Sequence, residues 1–287
     1  MNAIQKVAVV GCGIMGSGIA HVCALAGVDV MVAASSPASL ARGRARLTGS
    51  LDRALGKGRI TERDHENALA RVSYTSDLAE LADRQLVIES ISEDEQAKRD
   101  LFARLDQVLQ DPETILASNT SSLSVLRLAR ATADGGRVLG VHFFNPVPAL
   151  PLVELVPTLL TREKTAVRAE EFVTDTLGKR VIRSPDRAGF TVNALLIPYL
   201  LAAVRIVEAG HASAETVDDA MTLGCSHPMG PLRLADLIGL DVVTSIAEAL
   251  HEEFREPQYA PPPFLRRLVE AGMLGRKTGR GLYDYAP

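Results

Sequence analysis

Cysteine is scarce in this chain of 287 residues, with only Cys12, Cys23 and Cys225. The three thiols are scattered along the sequence and odd in number, and their spacing is not that of zinc ligands. We therefore expect no metal site. Unpaired cysteines of this kind are typical of reduced thiols, so we predict a cytoplasmic protein.

Long apolar runs are also missing. The longest, residues 194–204, is broken by Pro198 and followed by Arg205, and it is well short of the ~20 residues that cross a membrane. A strand-like pattern begins at Lys6, which leaves no room for a signal peptide. With 47% hydrophobic residues, the sequence predicts a soluble globular protein with a sizeable core and no membrane partner.

The chain has no excess of positive charge, since its net charge is −4 and its pI about 5.9. This balance argues against nucleic acid as a partner, because a nucleic-acid surface needs a broad basic field. The charge is nevertheless uneven: residues 42–63 hold seven Lys and Arg against Asp52 and Glu62, a local net charge of +5. Such a segment fits either an anionic small ligand or a solvated basic helix face.

What is present is an alternation of short apolar runs with helical patterns. We expect a parallel sheet covered by helices on both faces. The predicted strands are residues 6–10, 29–33, 72–75, 86–90, 114–117, 138–144 and 153–156, and the helices between them include 14–26 and 95–108.

The pattern changes between Arg183 and Gly189, after which the chain is helical throughout. We predict two domains, an α/β domain over residues 1–184 and an all-α domain over residues 185–287. The helices expected in the second domain are 194–208, 213–223, 232–254 with a break near Gly239, and 263–271.

A glycine-rich turn directly follows the first predicted strand, in the letters GCGIMG of residues 11–16. Glycines at such a turn let backbone N–H groups approach a pyrophosphate, and the N-terminus of the next helix adds partial positive charge. A structural glycine turn is the alternative. The context favours a doubly wound, Rossmann-type domain that binds a dinucleotide through Gly11, Gly13, Ile14, Met15 and Gly16.

The residue that distinguishes NAD from NADP is not the usual one. An acidic side chain about 20 residues after the turn normally accepts a hydrogen bond from the ribose 2′-hydroxyl, but that position is Ala34, followed by Ser35 and Ser36. Arg42 lies one to two helical turns further on. Without the carboxylate nothing repels a 2′-phosphate, so both NAD and NADP are candidate cofactors.

His142 and Glu154 lie in or beside two apolar, strand-like runs, GVHFF and LVELV. Burial of either group is costly unless they pair. A carboxylate that holds one ring nitrogen fixes the tautomer, and the other nitrogen can then act as a general base. The alternative is a histidine bonded to a backbone carbonyl and a glutamate in solvent.

Other polar residues stand where strands end. Residues 118–122, SNTSS, follow one predicted strand. Ligands bind at that edge of a doubly wound sheet, so these side chains could contact a ligand. The alternative is that they cap a helix over 123–130. Glu89 and Glu93 lie at another strand end, although singly such carboxylates usually face solvent. Asn193 enters an apolar helix, where a buried amide needs a partner such as a substrate carbonyl.

Together these segments resemble the L-3-hydroxyacyl-CoA dehydrogenase family, in particular its short bacterial 3-hydroxybutyryl-CoA dehydrogenases. The resemblance covers nearly the whole chain. The motifs that carry it, in family order, are GCGIMGSGIA, VIESISEDEQAKRDLF, ILASNTSSLS, GVHFFNPVPALPLVELV, AGFTVNALLIPYL, LGCSHPMGPLRLADLIGLD and LGRKTGRGLYDY.

The resemblance implies a role for each matching residue. His142 is the base with Glu154 as its partner, Ser121 hydrogen-bonds the substrate oxygen, and Asn193 completes the site. The residues that it implies for cofactor contact are Glu93, Lys98, Ser121 and Lys277, and those for acyl-CoA contact are Ser50, Lys57, Ser121 and Asn193. It also implies an NAD(P)-dependent oxidoreductase of fatty acid metabolism that forms a homodimer. The implied reaction is hydride transfer between (S)-3-hydroxyacyl-CoA, in particular 3-hydroxybutyryl-CoA, and 3-oxoacyl-CoA.

Three positions depart from the family pattern. Ala34 replaces the usual Asp or Glu, Ala194 stands where many members have Arg, and Pro151 where many have Lys.

Two other functions remain open at this point. One is the same chemistry on a carrier-protein-bound or free hydroxy acid, and the other is dinucleotide binding without turnover.

Overall fold

The computed structural model describes residues 3–285. The chain divides into two compact units, Met1–Asp186 and Arg187–Pro287. Among the described residues, the first unit contains one eight-stranded sheet in the order β3-β2-β1-β4-β5-β6-β7-β8. Its strands are β1 Lys6–Val10, β2 Asp29–Ala33, β3 Val72–Thr75, β4 Leu86–Glu89, β5 Ile115–Ser118, β6 Val138–Phe143, β7 Leu152–Pro157 and β8 Arg180–Arg183.

The central strands are apolar on both faces because helices cover both sides of the sheet. Strands β4, β5 and β6 are buried along their whole length, as expected for the middle of a parallel sheet. The helices of this unit are α1 Ile14–Leu25, α2 Pro37–Gly56, α3 Glu62–Ala70, α4 Glu95–Val108, α5 Val125–Ala129 and α6 Glu163–Glu171, the last continued by a π-turn over Phe172–Thr176.

Side-chain caps explain where several of these helices begin. Ser36 accepts a hydrogen bond from the backbone N–H of Ser39 at the start of α2, and Asp94 does the same for Ala97 in α4. Thr61 and Asp64 form a reciprocal capping box at α3. The predicted bounds of α4, residues 95–108, are those observed.

The second unit is helical, as the sequence predicts. Its helices are α7 Val192–Glu208, α8 Ala214–Cys225, α9 Pro231–Ile238, α10 Leu240–Phe254 and α11 Pro263–Glu270. Gly239, with φ of 106°, separates α9 from α10 and accounts for the predicted break. The core of this unit includes Leu200, Leu232 and Leu250, each fully buried.

The fold-class prediction is confirmed, with two differences at one side of the sheet. Strand β7 runs antiparallel to β6, and β8 is parallel to β7, so the last two strands oppose the first six. Strand β8 was not predicted, because its four residues, RVIR, have an arginine at each end and lie half-exposed at the edge of the sheet. The reversal of β7 places Glu154 directly opposite His142 in the strand register.

Candidate active site

The carboxyl ends of four adjacent parallel strands bring the predicted site residues of the first unit to one edge of the sheet. Val10 of β1 is in register with Glu89 of β4, Glu89 with Ser118 of β5, and Ser118 with Gly140 of β6. Ligands of doubly wound sheets bind at this edge. The glycine turn, the 118–122 segment and His142 therefore belong to one region of the first unit.

The glycine turn has the geometry that dinucleotide binding requires. Gly11 has φ of 105°, and its N–H donates to the carbonyl of Ala33 at 2.8 Å. A Cβ on Gly11 would overlap the backbone of Ser90, and a Cβ on Gly16 would overlap the Gly11 carbonyl. Around Gly13, by contrast, no described atom lies within 4 Å of the Cβ position. A pyrophosphate can therefore reach the backbone there.

Helix α1 begins at this turn without a side-chain cap, since its N-cap is Gly13. Its first N–H groups are consequently available for an anion. Ile14, the first helical residue, is 67% exposed although it is apolar, and Met15 is half-buried. The residues present thus fit the pyrophosphate of NAD or NADP.

His142 and Glu154 form a buried pair. His142 Nδ1 lies 2.8 Å from Glu154 Oε2, and the other carboxylate oxygen, Oε1, accepts a hydrogen bond from Ser184 Oγ at 3.0 Å. Glu154 is fully buried and His142 is 6% exposed. Because a carboxylate accepts, the Nδ1–H tautomer donates to it, and Nε2 is then the ring nitrogen that is able to accept a proton. Phe144 packs against the imidazole with 4.6 Å between ring centroids.

The 118–122 segment is joined to the end of β6 and to Glu93. Asn119 Oδ1 accepts from the backbone N–H of Phe143 at 2.8 Å, directly after His142. Thr120 Oγ1 donates to Glu93 Oε1, and this Glu93 oxygen also accepts from the Ser121 N–H at 3.1 Å. The side chains of four of the five polar residues therefore bond to strand ends or to Glu93: Ser118, Asn119, Thr120 and Ser122. The fifth, Ser121, is half-buried and is held through its backbone N–H.

This segment does not cap the following helix. Helix α5 begins at Val125, later than predicted, and its N-cap Ser124 makes no capping bond with its side chain. Asp186 accepts from the N–H groups of Val125 and Leu126 at 2.9 and 2.7 Å instead. Sequence reasoning missed this role because Asp186 is about 60 residues away in the chain.

Next to the 118–122 segment, Lys98, Glu89 and Glu93 form a cluster of charges. Lys98, 1% exposed, places its Nζ 2.7 Å from Glu89 Oε1 and 3.1 Å from Glu93 Oε2. Glu89 also accepts from the Ile91 N–H at 2.7 Å and from Ser118 Oγ at 2.6 Å. Burial alone raises the pKa of Glu93, but the charge of Lys98 and the hydrogen bonds from Thr120 and Ser121 hold that pKa below its usual value. Glu89 is thus a structural carboxylate of the cluster.

The basic segment is mostly the exposed side of α2. Ser50 is half-buried in α2, and the exposed Lys57 is the residue at its C-cap, two helical turns later and on the same side. Two of the arginines have partners within the first unit: Arg44 stacks 4.7 Å from the centre of the Tyr74 ring, and Arg46 donates to the Cys12 carbonyl at 3.3 Å.

Two predicted site residues belong to the second unit. Asn193 lies in the first turn of α7 and is 8% exposed. Lys277 lies in a short 3₁₀ turn and pairs with Asp241, with Nζ 2.5 and 2.6 Å from its two carboxylate oxygens. Asp236 accepts from the N–H groups of Leu282 and Tyr283 and so holds the segment around Lys277 against α9.

Residues 3–285 contain neither a cluster of metal-binding side chains nor a membrane-spanning helix. No group of three or more His, Cys, Asp or Glu side chains there could hold a metal ion. No helix in that range is long and apolar enough to span a membrane.

Comparison with known proteins assigns the family. The profile of "3-hydroxyacyl-CoA dehydrogenase, NAD binding domain" matches residues 6–187, and that of "3-hydroxyacyl-CoA dehydrogenase, C-terminal domain" matches residues 189–285. The chain belongs to the 3-hydroxyacyl-CoA dehydrogenase family. The predictions of this family and of an NAD-binding oxidoreductase are thereby confirmed.

Relatives that match over the full length support the same assignment. This dehydrogenase is 57% identical over 284 residues to a 3-hydroxybutyryl-CoA dehydrogenase of Mycobacterium tuberculosis, which covers 99% of both chains. Its structure superposes on FadB2 of that organism with a TM-score of 0.98, covering 99% of this chain and 100% of the other. The (S)-3-hydroxybutyryl-CoA dehydrogenase PaaH1 of Ralstonia eutropha, 41% identical, gives 0.94 with the same coverage.

Proposed function

We propose that this dehydrogenase interconverts (S)-3-hydroxybutyryl-CoA and acetoacetyl-CoA in short-chain acyl-CoA metabolism. The observation that carries the proposal is the His142–Glu154 pair, held in register across two strands at the edge that also bears the glycine turn. The names of the relatives support the substrate. The bound nicotinamide cofactor supplies the acceptor or donor of the hydride at carbon 3 of the acyl group.

His142 takes the proton of the substrate hydroxyl at Nε2 during oxidation and returns it during reduction. Glu154 keeps Nδ1 protonated and stabilises the imidazolium that forms, at a separation of 2.8 Å. Ser121 and Asn193 are proposed to hydrogen-bond the substrate oxygen and stabilise its negative charge. Ser184 is a positioning residue, because its hydroxyl keeps Glu154 in place.

The cofactor and acyl-CoA contacts are also proposals. Gly11, Gly13, Ile14, Met15 and Gly16 would bind the pyrophosphate, supported by the open face of Gly13. Ala34 and Ser35 would contact the adenosine ribose. Glu93, Lys98, Ser121 and Lys277 would contact the nicotinamide half, and Ser50 and Lys57, on one side of α2, would contact CoA.

In the second unit, Asn193 is proposed to contact substrate and Lys277 the cofactor, and this unit is proposed to form a homodimer. Apolar side chains on its surface support dimerisation, among them Leu195 at 72% and Leu223 at 83% exposure. A cytoplasmic location is supported by the free thiols of Cys12, Cys23 and Cys225.

Steady-state rates with matched substrates test the proposed function. We expect oxidation of (S)-3-hydroxybutyryl-CoA, with kcat/KM for the (R) ester and for free 3-hydroxybutyrate lower by roughly 100-fold or more. Lys57→Ala should raise KM for the CoA ester by about 3- to 10-fold with little change in kcat. Arg63→Ala, which removes another exposed cation of the same segment, is the control. Equal use of the free acid would contradict the proposal.

A further inference from the structure

The end of β2 is the place where a Rossmann-type domain distinguishes NAD from NADP. Here the strand end lies against the glycine turn, since the Ala33 carbonyl accepts from the Gly11 N–H at 2.8 Å. Ala34 follows, with its own N–H bonded to the Thr75 carbonyl at 3.2 Å on β3. A methyl side chain at this position accepts no hydrogen bond from a ribose hydroxyl and carries no charge that would repel a phosphate.

A chain of hydrogen bonds leads from this strand end to a guanidinium group. Ser36, two residues after Ala34, donates through Oγ to Ser39 Oγ at 3.1 Å. Arg42 Nη2 donates to the same Ser39 oxygen at 3.0 Å. The Arg42 side chain therefore extends back toward the N-terminus of α2 and the end of β2, and it remains exposed.

The neighbouring charges favour an anion at this position. The first turn of α2 contains no acidic residue. Arg46, one turn beyond Arg42, donates to the Cys12 carbonyl in the glycine turn at 3.3 Å, so a second cation lies on the same side of the helix. Glu80, in the 3₁₀ turn that follows β3, is bonded to the residue that also pairs with Ala34: its Oε1 accepts from Thr75 Oγ1 at 2.9 Å.

From this geometry we infer that Ala34, Ser35, Ser36 and Arg42 form a site for the 2′-phosphate of the adenosine ribose, so that this dehydrogenase prefers NADP(H) to NAD(H). The inference rests on the proposed function for the use of a nicotinamide cofactor. Arg42 supplies the charge-assisted hydrogen bonds, the Ser35 hydroxyl donates to another phosphate oxygen, and Ser36 holds Ser39, to which Arg42 is bonded. The absence of a carboxylate at position 34 removes the repulsion that excludes a phosphate.

The competing arrangement keeps the preference for NAD(H). In it Glu80 leaves Thr75 and accepts from the ribose 2′-hydroxyl, in place of the carboxylate that position 34 lacks. The two arrangements predict opposite effects of Arg42 and Glu80, so direct binding measurements on the full chain distinguish them.

The experiment measures the Kd of NADH and NADPH by the change in their fluorescence on binding, without substrate. For the wild type we expect NADPH to bind at least ~10-fold more tightly than NADH. Arg42→Ala should weaken NADPH by roughly 10- to 100-fold, the usual effect of losing a hydrogen bond to a charged group, and NADH by less than about 3-fold. Ala34→Asp should reverse the preference.

Arg53→Ala is the matched control, because it removes another exposed arginine from the same helix, about 16 Å further along its axis. It should leave both Kd values within about 2-fold. Glu80→Gln should likewise leave NADH binding unchanged under this inference.

Tighter binding of NADH by the wild type, weakened by Glu80→Gln and insensitive to Arg42→Ala, would overturn the inference and leave the proposed function intact. Failure to bind either cofactor would instead remove the basis of the proposed function itself. The two failures are therefore distinguishable in one titration series.

Discussion

At the scale of single residues, the site depends on polar groups that are buried and fully paired. Glu154 is inaccessible to solvent, and both of its oxygens accept hydrogen bonds, one involving His142 and the other Ser184. A buried carboxylate is costly when it lacks such partners. The pair is therefore stable only as a unit, and each member depends on the other.

Glu154→Gln tests that dependence with little change in volume. The amide can donate a hydrogen bond toward Nδ1 and so favours the tautomer in which Nε2 carries the proton and cannot act as a base. We predict a decrease in kcat of ~10²- to 10⁴-fold, with the Kd of the cofactor changed by less than about 2-fold. Glu171→Gln, on the exposed side of α6, is the control. A kcat for Glu154→Gln within a few-fold of wild type would show that Glu154 does not set the tautomer.

His21 gives a second prediction at this scale, on stability rather than activity. It is 2% exposed, its Nδ1 has no hydrogen-bond partner, and burial together with the charges of Arg53 and Lys179 lowers its pKa to about 4. Between about pH 6.5 and 4 the unfolded chain binds a proton that the folded chain does not. The contribution to stability is therefore complete above pH 6.5 and is lost as the pH falls through this range.

The expected loss is up to about 3 kcal/mol between pH 7 and pH 4. Denaturant unfolding of the wild type and of His21→Leu at both pH values measures it. The variant should lose about 3 kcal/mol less than the wild type over this range, because leucine has no proton to bind. Parallel pH dependence in the two proteins would show that the His21 imidazole is already accessible to protons in the folded state.

At the scale of secondary-structure elements, helix α4 holds the 118–122 segment in place through Lys98 and Glu93. Lys98 on this helix bridges Glu89 at the end of β4 and Glu93 in the loop after it. Glu93 in turn holds Ser121 through its backbone N–H. The position of Ser121 therefore depends on a lysine that lies 23 residues earlier in the chain.

Lys98→Met should be strongly destabilising, because it leaves Glu89 buried without its cation. We predict a loss of about 3 to 5 kcal/mol in the free energy of unfolding and weaker cofactor binding. Arg127→Met breaks the exposed ion pair with Glu95 and should cost at most about 1 kcal/mol. Denaturant titration compares the two variants. Equal, small losses would mean that water reaches the Glu89 carboxylate.

The C-terminal segment of the second unit depends on Asp236 in a similar way. This side chain is 1% exposed and accepts from the backbone N–H groups of Leu282 and Tyr283 at 2.9 and 3.0 Å. Asp236→Asn turns an amide N–H₂ toward one of these donors. We expect a loss of about 1 to 3 kcal/mol and faster hydrogen exchange at residues 282 and 283. Asp219→Asn, at an exposed position of α8, should change neither quantity, and unaltered exchange in Asp236→Asn would contradict the assignment.

At the scale of the whole molecule, the sequence was informative where local signals and tertiary structure agree. The strand, glycine turn and helix at residues 6–25 were predictable because apolar periodicity and glycine placement point to the same arrangement. The direction of β7 was not, because an apolar run such as LVELV reads the same in either orientation. Its reversal places Glu154 opposite His142, so the sequence predicted the pair but not the strand geometry that forms it.

Long-range polar contacts mark a second limit of sequence reasoning. Residues 118–122 looked like a set of ligand-binding side chains, yet Asn119 instead bonds the backbone of Phe143 and Ser118 bonds Glu89. Asp186 and Ser184 gave no local signal, because their partners lie 61 and 30 residues away. Such contacts follow from the strand order of the folded sheet, which no short sequence window contains.

Single-turnover reduction of acetoacetyl-CoA by the wild type and by His142→Gln tests whether His142 exchanges the substrate proton. The enzyme is loaded in turn with NADH and NADPH, and absorbance of the reduced cofactor is followed. We expect turnover by the wild type and a rate lower by roughly 10²-fold or more in the variant, with cofactor Kd unchanged within about 2-fold. This role of His142 would be contradicted by a variant that reduces acetoacetyl-CoA at the wild-type rate, or by a wild type that binds the cofactor and does not reduce acetoacetyl-CoA.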